Sequence, residues 1–162
     1  MIKPSECLVG KLEDASILTF LMPRTSDEET FLIVPEERLQ SAIFLGRNHK
    51  YKSFDCTNNT TWQGLLIPNV CIELDEDSLF DPGSGNVPIG SLVRVDNCLR
   101  ICVRPLESRM VLKSYITIIN DLSPCAIGYS AGFRKWQIVL GEGLEKRILW
   151  QSWDVGGAAP TD

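Results

Sequence analysis

The sequence predicts an α+β, β-rich fold, with a mostly antiparallel sheet and one or two short helices. Short apolar segments alternate with turn residues at intervals of roughly ten to fifteen residues, as in antiparallel β proteins. The 162 residues, 44% of them hydrophobic and 23% charged, suit one domain with its own core. We therefore expect a single domain over residues 1–155 and a disordered tail over residues 156–162.

The predicted strands share β-branched and aromatic residues and are bounded by glycine, proline, asparagine or aspartate. They are Ile17–Met22, Phe31–Val34, Tyr51–Cys56, Gly64–Ile67, Val70–Leu74, Leu92–Val95, Leu99–Val103, Lys113–Ile119, Lys135–Leu140 and Arg147–Trp153. Glycine and proline make the intervening segment Phe80–Pro88 a predicted loop.

One short helix is predicted over Pro35–Phe44. Proline suits the first helical position, and Glu36 and Glu37 follow where the positive end of the helix dipole favours carboxylates. Gly46 comes after the last helical residue, as is typical of a helix end. The apolar residues that would share one helical face are Leu39, Ala42 and Ile43.

A hairpin is predicted over about 92–103, and its register follows from residue parity. Apolar residues of both arms, from Val93 to Val103, carry odd numbers. Because side chains alternate between the faces of a strand, both arms can show these residues to one core only across a loop of odd length. We therefore expect a three-residue loop with a bulge, and a solvated face where Arg94 and Arg100 lie close together.

A second hairpin is predicted over about 135–153. Trp136 and Trp150 have the same parity across the seven-residue loop Gly141–Arg147, and so they should point to the same side of the sheet. We expect both rings to belong to the core. The alternative is a partner-binding patch, because tryptophan is enriched at interface hot spots.

The chain has six cysteines, an even number that would favour disulfides in a short secreted protein. They are Cys7, Cys56, Cys71, Cys98, Cys102 and Cys125. No C-x-x-C pair is present, and the N-terminal residues lack the long apolar run of a signal peptide. We therefore expect a cytoplasmic protein with reduced, structural cysteines, and neither a metal nor a cofactor.

Charge is distributed unevenly along the chain. Residues 1–81 hold 14 acidic residues against 7 Lys and Arg, whereas residues 82–162 hold 7 against 9. The acidic excess forms two runs. One comprises Asp27, Glu28, Glu29, Glu36 and Glu37, and the other comprises Glu73, Asp75, Glu76, Asp77 and Asp81. Such runs repel nucleic acid and membrane phosphate and attract cationic partners, unless they are only a solvated surface.

Catalytic and nucleic-acid motifs are poorly represented. The only histidine, His49, lies in the polar segment GRNHKYK, and no P-loop, G-x-G-x-x-G or G-x-S-x-G motif occurs. The basic residues Arg47, Lys50 and Lys52, with nearby aromatic rings, could contact RNA. The pI near 4.9 argues against that reading. We expect no enzymatic activity, no nucleic-acid partner and no membrane partner.

These observations favour a small acidic protein-binding domain of the antidote or immunity type, which neutralises a basic toxin, such as a nuclease, by binding it directly. The expected partner-binding residues are Glu73, Asp75, Glu76, Asp77 and Asp81. Two alternatives stay open: an enzyme with a carboxylate- or cysteine-based site, and an adaptor or subunit of a larger assembly.

Overall fold

Fourteen strands and three short 3₁₀ turns make up the part of the chain that the computed structural model describes. The described residues are 8–11, 18–22, 29–36, 39–46, 49–57, 63–95, 98–106, 113–119 and 130–153. The expected tail at 156–162 lies outside them. No α-helix occurs among these residues. The described part of the chain therefore contains no candidate membrane-spanning helix.

The strands occupy most of the described segments. They are β1 (Leu8–Lys11), β2 (Thr19–Met22), β3 (Phe31–Pro35), β4 (Gln40–Phe44), β5 (Lys52–Asp55), β6 (Gln63–Pro68), β7 (Cys71–Leu74), β8 (Leu79–Phe80), β9 (Leu92–Val95), β10 (Cys98–Pro105), β11 (Ser114–Ile119), β12 (Ala131–Phe133), β13 (Trp136–Leu140) and β14 (Arg147–Gln151). The 3₁₀ turns are Glu76–Ser78, Pro82–Ser84 and Gly143–Glu145.

Two sheets form from these strands. The larger has eleven strands in the order β1-β6-β2-β3-β4-β5-β10-β9-β12-β8, with β11 paired to β10 beside this path. The smaller has the order β14-β13-β7. Among the described strands only β5 and β10 pair in parallel. The prediction of a β-rich domain with a mostly antiparallel sheet is therefore confirmed, whereas the expected short α-helices are not found among the described residues, whose only helical elements are 3₁₀ turns at other positions.

The main core lies between the two sheets. Leu32, Ile43 and Ile101 of the larger sheet belong to one buried cluster with Trp136 and Ile138 of the smaller sheet. Trp136 is 0% exposed, and its indole nitrogen donates a hydrogen bond of 2.8 Å to the Gly90 carbonyl. The core assignment of this tryptophan is confirmed, since its apolar ring is buried and its one polar group is satisfied.

The helix predicted over Pro35–Phe44 is wrong, because Pro35 ends β3 and Gln40–Phe44 form β4. The Glu36 amide donates to the Leu39 carbonyl at 2.8 Å, and Pro35 pairs with Gln40. Successive residues of β4 enter different cores: Ala42 packs in one cluster and Ile43 in another. A strand buried on both faces has a nearly continuous apolar sequence, which is easily mistaken for one face of a helix.

The hairpin of β9 and β10 exists, but its predicted register is wrong. Val95 pairs with Cys98 and Val93 with Arg100, so two residues rather than three separate the paired positions. The parity argument fails because β9 is buried on both faces: Leu92 packs in the main core, whereas Val93 packs against Cys102 on the opposite side. Arg94 and Arg100 consequently lie on opposite faces.

The hairpin of β13 and β14 confirms that Trp136 and Trp150 share one side, with ring centroids 4.8 Å apart. The connection differs from the expected one. Leu140 pairs with Arg147 across six residues, and a register shift between Ile138 and Val139 then restores the predicted parity. Beyond the bulge Ile148 pairs with Val139 and is 52% exposed, so it does not share the side of Trp150.

Candidate functional site

The acidic run at Glu73–Asp81 begins on an edge strand of the smaller sheet and continues through two turns. Glu73 lies on β7, whereas Asp75, Glu76 and Asp77 lie in and before the first 3₁₀ turn. Asp81 precedes the second 3₁₀ turn, after the short strand β8. The structure therefore separates these carboxylates into different local environments.

Glu73 is tied into a polar ladder across the smaller sheet. Its carboxylate accepts a hydrogen bond of 2.7 Å from the Gln137 amide, and Gln137 accepts one of 2.9 Å from Gln151. Lys146 forms a salt bridge with the same carboxylate at 3.0 Å. The Gln137 hydrogen bond, followed by that of Lys146, holds the pKa of Glu73 below its usual range. Glu73 is thus linked to β13 and to Lys146, and its charge is paired within the chain in a partly exposed salt bridge.

Asp75 and Asp81 both cap 3₁₀ turns. One Asp75 oxygen accepts the Asp77 amide at 3.0 Å, and one Asp81 oxygen accepts the Gly83 amide at 2.8 Å. Aspartate favours this position because its short side chain reaches the amide two residues later. Each capping carboxylate therefore orders its own turn while its charge stays at the surface.

Glu76 and Asp77 are exposed on a backbone that is firmly held. The Ser78 hydroxyl donates to the Asp75 carbonyl at 2.6 Å, and it also accepts the Lys135 amide at 2.9 Å. These bonds fasten the turn to the segment that precedes β13. We call Asp75, Glu76 and Asp77 the acidic turn.

Tertiary structure brings basic residues beside the acidic turn, although none lies within its own segment. The Lys135 carbonyl accepts the Asp75 amide at 3.0 Å, and the Arg134 amide donates to the Ser78 carbonyl at 3.2 Å. The Arg134 guanidinium lies over the Phe80 ring, 5.0 Å from its centroid. The local negative field is consequently weaker than the sequence run alone indicates.

An open cleft of about 200 Å³ adjoins the acidic turn. Its lining combines carboxylate, amide and aromatic groups, from Glu73, Leu74, Asp75, Gln137 and Trp153. Trp153 is half-buried, so part of its ring faces solvent. This arrangement places an aromatic surface next to two carboxylates, which suits a cationic side chain more than an anionic one.

The other acidic run is only partly described. Glu36 is exposed and accepts a hydrogen bond of 2.9 Å from the Ser41 hydroxyl, across the turn between β3 and β4. The carboxylate of Glu29 lies against Gly46. Asp27, Glu28 and Glu37 lie outside the described residues. The two described members therefore occupy loops of the larger sheet, away from β7.

The residues considered for catalysis are not assembled into a reactive site. Cys56 is buried, and burial raises the pKa of its thiol to about 11, so the thiolate is scarce at neutral pH. The His49 ring packs edge-on against Phe44, with 5.3 Å between ring centroids. Among the described residues no group of three or more His, Cys, Asp or Glu side chains could hold a metal ion.

Sequence reasoning missed Gln137, Lys146 and Trp153, which complete the surroundings of Glu73 and the cleft. Their roles depend on the pairing of β13 with β7 and with β14. The spacing of residues along the chain carries no signal for the pairing of β7 with β13, which are more than sixty residues apart.

Comparisons with known proteins identify a family without a stated activity. A family described as "Uncharacterised protein y4lG" matches residues 9–159 of this chain. The protein of that description from Sinorhizobium fredii is 38% identical over 159 residues, which cover 98% of each chain. No solved structure matches. Because the match extends over nearly the whole sequence, the chain belongs to the Y4lG family.

Proposed function

We propose that this chain is a small acidic cytoplasmic protein that binds a cationic protein partner, in the manner of an antidote or immunity protein that covers a basic toxin. The acidic turn, with Asp81 beside it, is the surface that meets the partner. Glu73 orders this surface from within the sheet and does not offer a free charge. The expected partner is a basic protein, and a nuclease is the best example, because clustered carboxylates resemble the phosphates it recognises.

The observation that carries the proposal is the rigid presentation of consecutive exposed carboxylates. Glu76 and Asp77 project from a turn that is capped by Asp75 and fastened by Ser78. Ordering the turn before binding lowers the entropy that association would otherwise cost. A solvated charge run needs no such fastening, so this geometry favours a contact surface.

The cleft beside the turn supplies the complementary apolar element. Interfaces are dominated by a few buried anchors, and tryptophan is prominent among them. A partner lysine or arginine that enters the cleft would lie between the Asp75 carboxylate and the Trp153 ring. The charges would then set the association rate and the aromatic contact would slow dissociation.

The test is a pull-down from the native host with the full chain, followed by binding kinetics on the captured protein. The variant Asp75→Asn/Glu76→Gln/Asp77→Asn should keep its melting temperature, since asparagine at position 75 still offers a capping oxygen and the exposed charges at 76 and 77 contribute little to stability. It should associate at least severalfold more slowly at low ionic strength, and the difference should shrink as added salt screens the charges.

A matched pair of variants separates local from general charge effects. Glu76→Gln/Asp77→Asn removes the same charge as Glu142→Gln/Glu145→Gln, which alters the exposed loop between β13 and β14. Only the first variant should slow association markedly. Equal association rates for the two double variants, or an unchanged association rate for the triple variant, would mean that the acidic turn is only a solvated surface and not a binding surface. A loss of stability in the triple variant would indicate a buried network instead.

A further inference from the structure

A row of basic residues crosses the larger sheet on the face opposite to the main core. Lys52 of β5 and Arg104 of β10 are register partners, so their side chains point to the same side. Lys113, just before β11, reaches this side as well, because its ammonium and the Cys102 thiol both approach the Val87 carbonyl, at 2.7 and 4.0 Å. We call Lys52, Arg104 and Lys113 the basic row.

The charges of the basic row are not compensated within the described part of the chain. Arg104 and Lys113 are exposed, and neither they nor Lys52 form a salt bridge with a described carboxylate. Asp55 of β5 alternates to the other face, three residues from Lys52. Like charges that face each other on neighbouring strands repel, so this arrangement favours a bound anion between them.

An exposed aromatic ring lies next to the basic row. Tyr115 of β11 is the register partner of Cys102 and is 46% exposed. Arg100, the next outward residue of β10 beyond Cys102, is exposed and pairs with Thr117. The Tyr115 ring therefore lies between Arg100 and Arg104, which flank its register partner along β10. Strand pairing holds the backbone of these residues rigid.

The structure also changes the meaning of the basic sequence stretch around Lys52. The Lys50 ammonium turns inward and lies 5.6 Å from the Trp150 ring centroid, while its neighbour Tyr51 packs against the main core. Phe54 packs in the second core cluster. Lys52 thus joins residues from β10 and from the start of β11, far along the chain, to form a surface that the local stretch does not contain.

We propose that the basic row and Tyr115 bind single-stranded nucleic acid. Arg104, Lys52 and Lys113 would contact successive phosphates, and a base would stack on the Tyr115 ring. Aromatic stacking combined with a cationic track is the usual chemistry of single-strand binding, and it needs a flat surface more than a closed pocket. The basic row and Tyr115 share no residue with the acidic turn, so the inference does not depend on the proposed antidote function.

The net negative charge of the chain, from which we predicted no nucleic-acid binding, has a weak electrostatic effect at this face. In the larger sheet β8, which follows the acidic turn, is three strands from β10. With neighbouring strands about 4.8 Å apart, that separation is roughly 14 Å. It exceeds the Debye length of about 8 Å at physiological ionic strength, so salt screens much of the effect of the acidic turn on this face.

The test is fluorescence anisotropy of labelled oligonucleotides of about eight nucleotides, one of uridine and one of deoxythymidine, titrated with the full chain. Binding should be measurable at about 50 mM salt and should weaken steeply as salt rises. Lys52→Ala and Arg104→Ala should each lower affinity severalfold and flatten the logarithmic salt slope by about 0.7. Tyr115→Ala should lower affinity by about tenfold with little change in slope.

Lys135→Ala is the matched control, because it removes one exposed positive charge beside the acidic turn. It should leave oligonucleotide affinity unchanged, and circular dichroism should show that every variant is folded. Absence of binding at low salt, or equal losses for Lys135→Ala and Arg104→Ala, would overturn the proposal. It would also be overturned if a poly-glutamate peptide bound the basic row more tightly than either oligonucleotide, since the partner would then be an acidic protein.

Discussion

The acidic turn and the basic row carry opposite charges and are built in opposite ways. The acidic turn consists of three consecutive residues, Asp75–Asp77, on one capped and fastened turn. The basic row combines single residues from three separate segments, which meet only because β5 and β11 both pair with β10. The first surface is therefore visible as a run of letters, whereas the second exists only in the folded sheet.

The two surfaces also differ in how the rest of the molecule treats their charge. Tertiary structure brings Arg134 and Lys135 beside the acidic turn and pairs Glu73 with Lys146. No described carboxylate makes a salt bridge with the basic row. A run of like charges in a sequence can thus produce a weaker electrostatic field in the folded protein than the run suggests. Charges that are scattered in the sequence can produce a stronger field than their spacing suggests. The predictions below use this contrast.

The largest expected effect comes from the core that supports both surfaces. Trp136→Ala should destabilise the fold by about 3–5 kcal/mol, because the ring is fully buried and its indole bonds Gly90. Trp153→Ala, at the half-buried wall of the cleft, is the control and should cost less. Urea denaturation measures both. If Trp136→Ala melts like the parent and loses only one partner, the tryptophan belongs to an interface.

The second-largest expected effect is a difference in thiol reactivity between β7, which leads into the acidic turn, and β10, which carries part of the basic row. Cys71 on β7 is exposed, whereas Cys102 is buried beneath Tyr115, where burial raises the pKa of its thiol. In the native protein a thiol reagent should modify Cys71 on the order of a hundredfold faster than Cys102.

After denaturation without reductant, we expect all six cysteines to titrate as free thiols. Two or more missing thiols would indicate a disulfide and contradict the cytoplasmic expectation.

Glu73→Gln tests whether this carboxylate is structural. At neutral pH the change should cost up to about 1 kcal/mol, because the Lys146 pair is partly solvated. The folded pKa of Glu73 is lowered, so its stabilisation is present above the usual pKa of 4.5 and is lost as the pH falls through the lower folded value.

Melting temperatures measured across the acid range show this effect. The difference in melting temperature between the parent and Glu73→Gln should narrow towards zero at pH values below the folded pKa of Glu73. A difference that stays constant down to acid pH would mean that the charge of Glu73 contributes nothing.

The smallest effect concerns the cations beside the acidic turn. Lys135→Ala should raise the association rate of the cationic partner about twofold at low salt, because it removes the charge of an exposed residue whose backbone carbonyl accepts the Asp75 amide. Stopped-flow kinetics would measure the rate. Arg104→Ala, on β10 of the larger sheet, serves as the control. If the two variants behave alike, Lys135 does not influence the field at the acidic turn.

Much of the architecture could be predicted from short-range patterns. Every predicted strand has a counterpart, and no end differs by more than two residues. Strands β1, β4, β8 and β12 were missed, and β4 shows why: its residues are buried on both faces, so the alternation that signals a strand is absent. The parity of Leu92–Val103 failed for the same reason, since β9 contributes to two cores.

The candidate site was predicted in part. Sequence indicated where the carboxylates concentrate, and Asp75, Glu76 and Asp77 do form one exposed turn. It could not distinguish Glu73, which is held by a partner 73 positions away. The cleft wall at Trp153 likewise depends on the pairing of β13 with two different strands.

The sequence by itself determined the β-rich class, the side of the sheet that Trp136 and Trp150 share, and the position of the acidic turn. These features follow from alternation and turn chemistry within a few residues. Only the tertiary structure decided which carboxylate is neutralised and which cations form a row. Those outcomes depend on strand pairing between distant segments, and pairing is selected by burial of the whole sheet rather than by any local pattern.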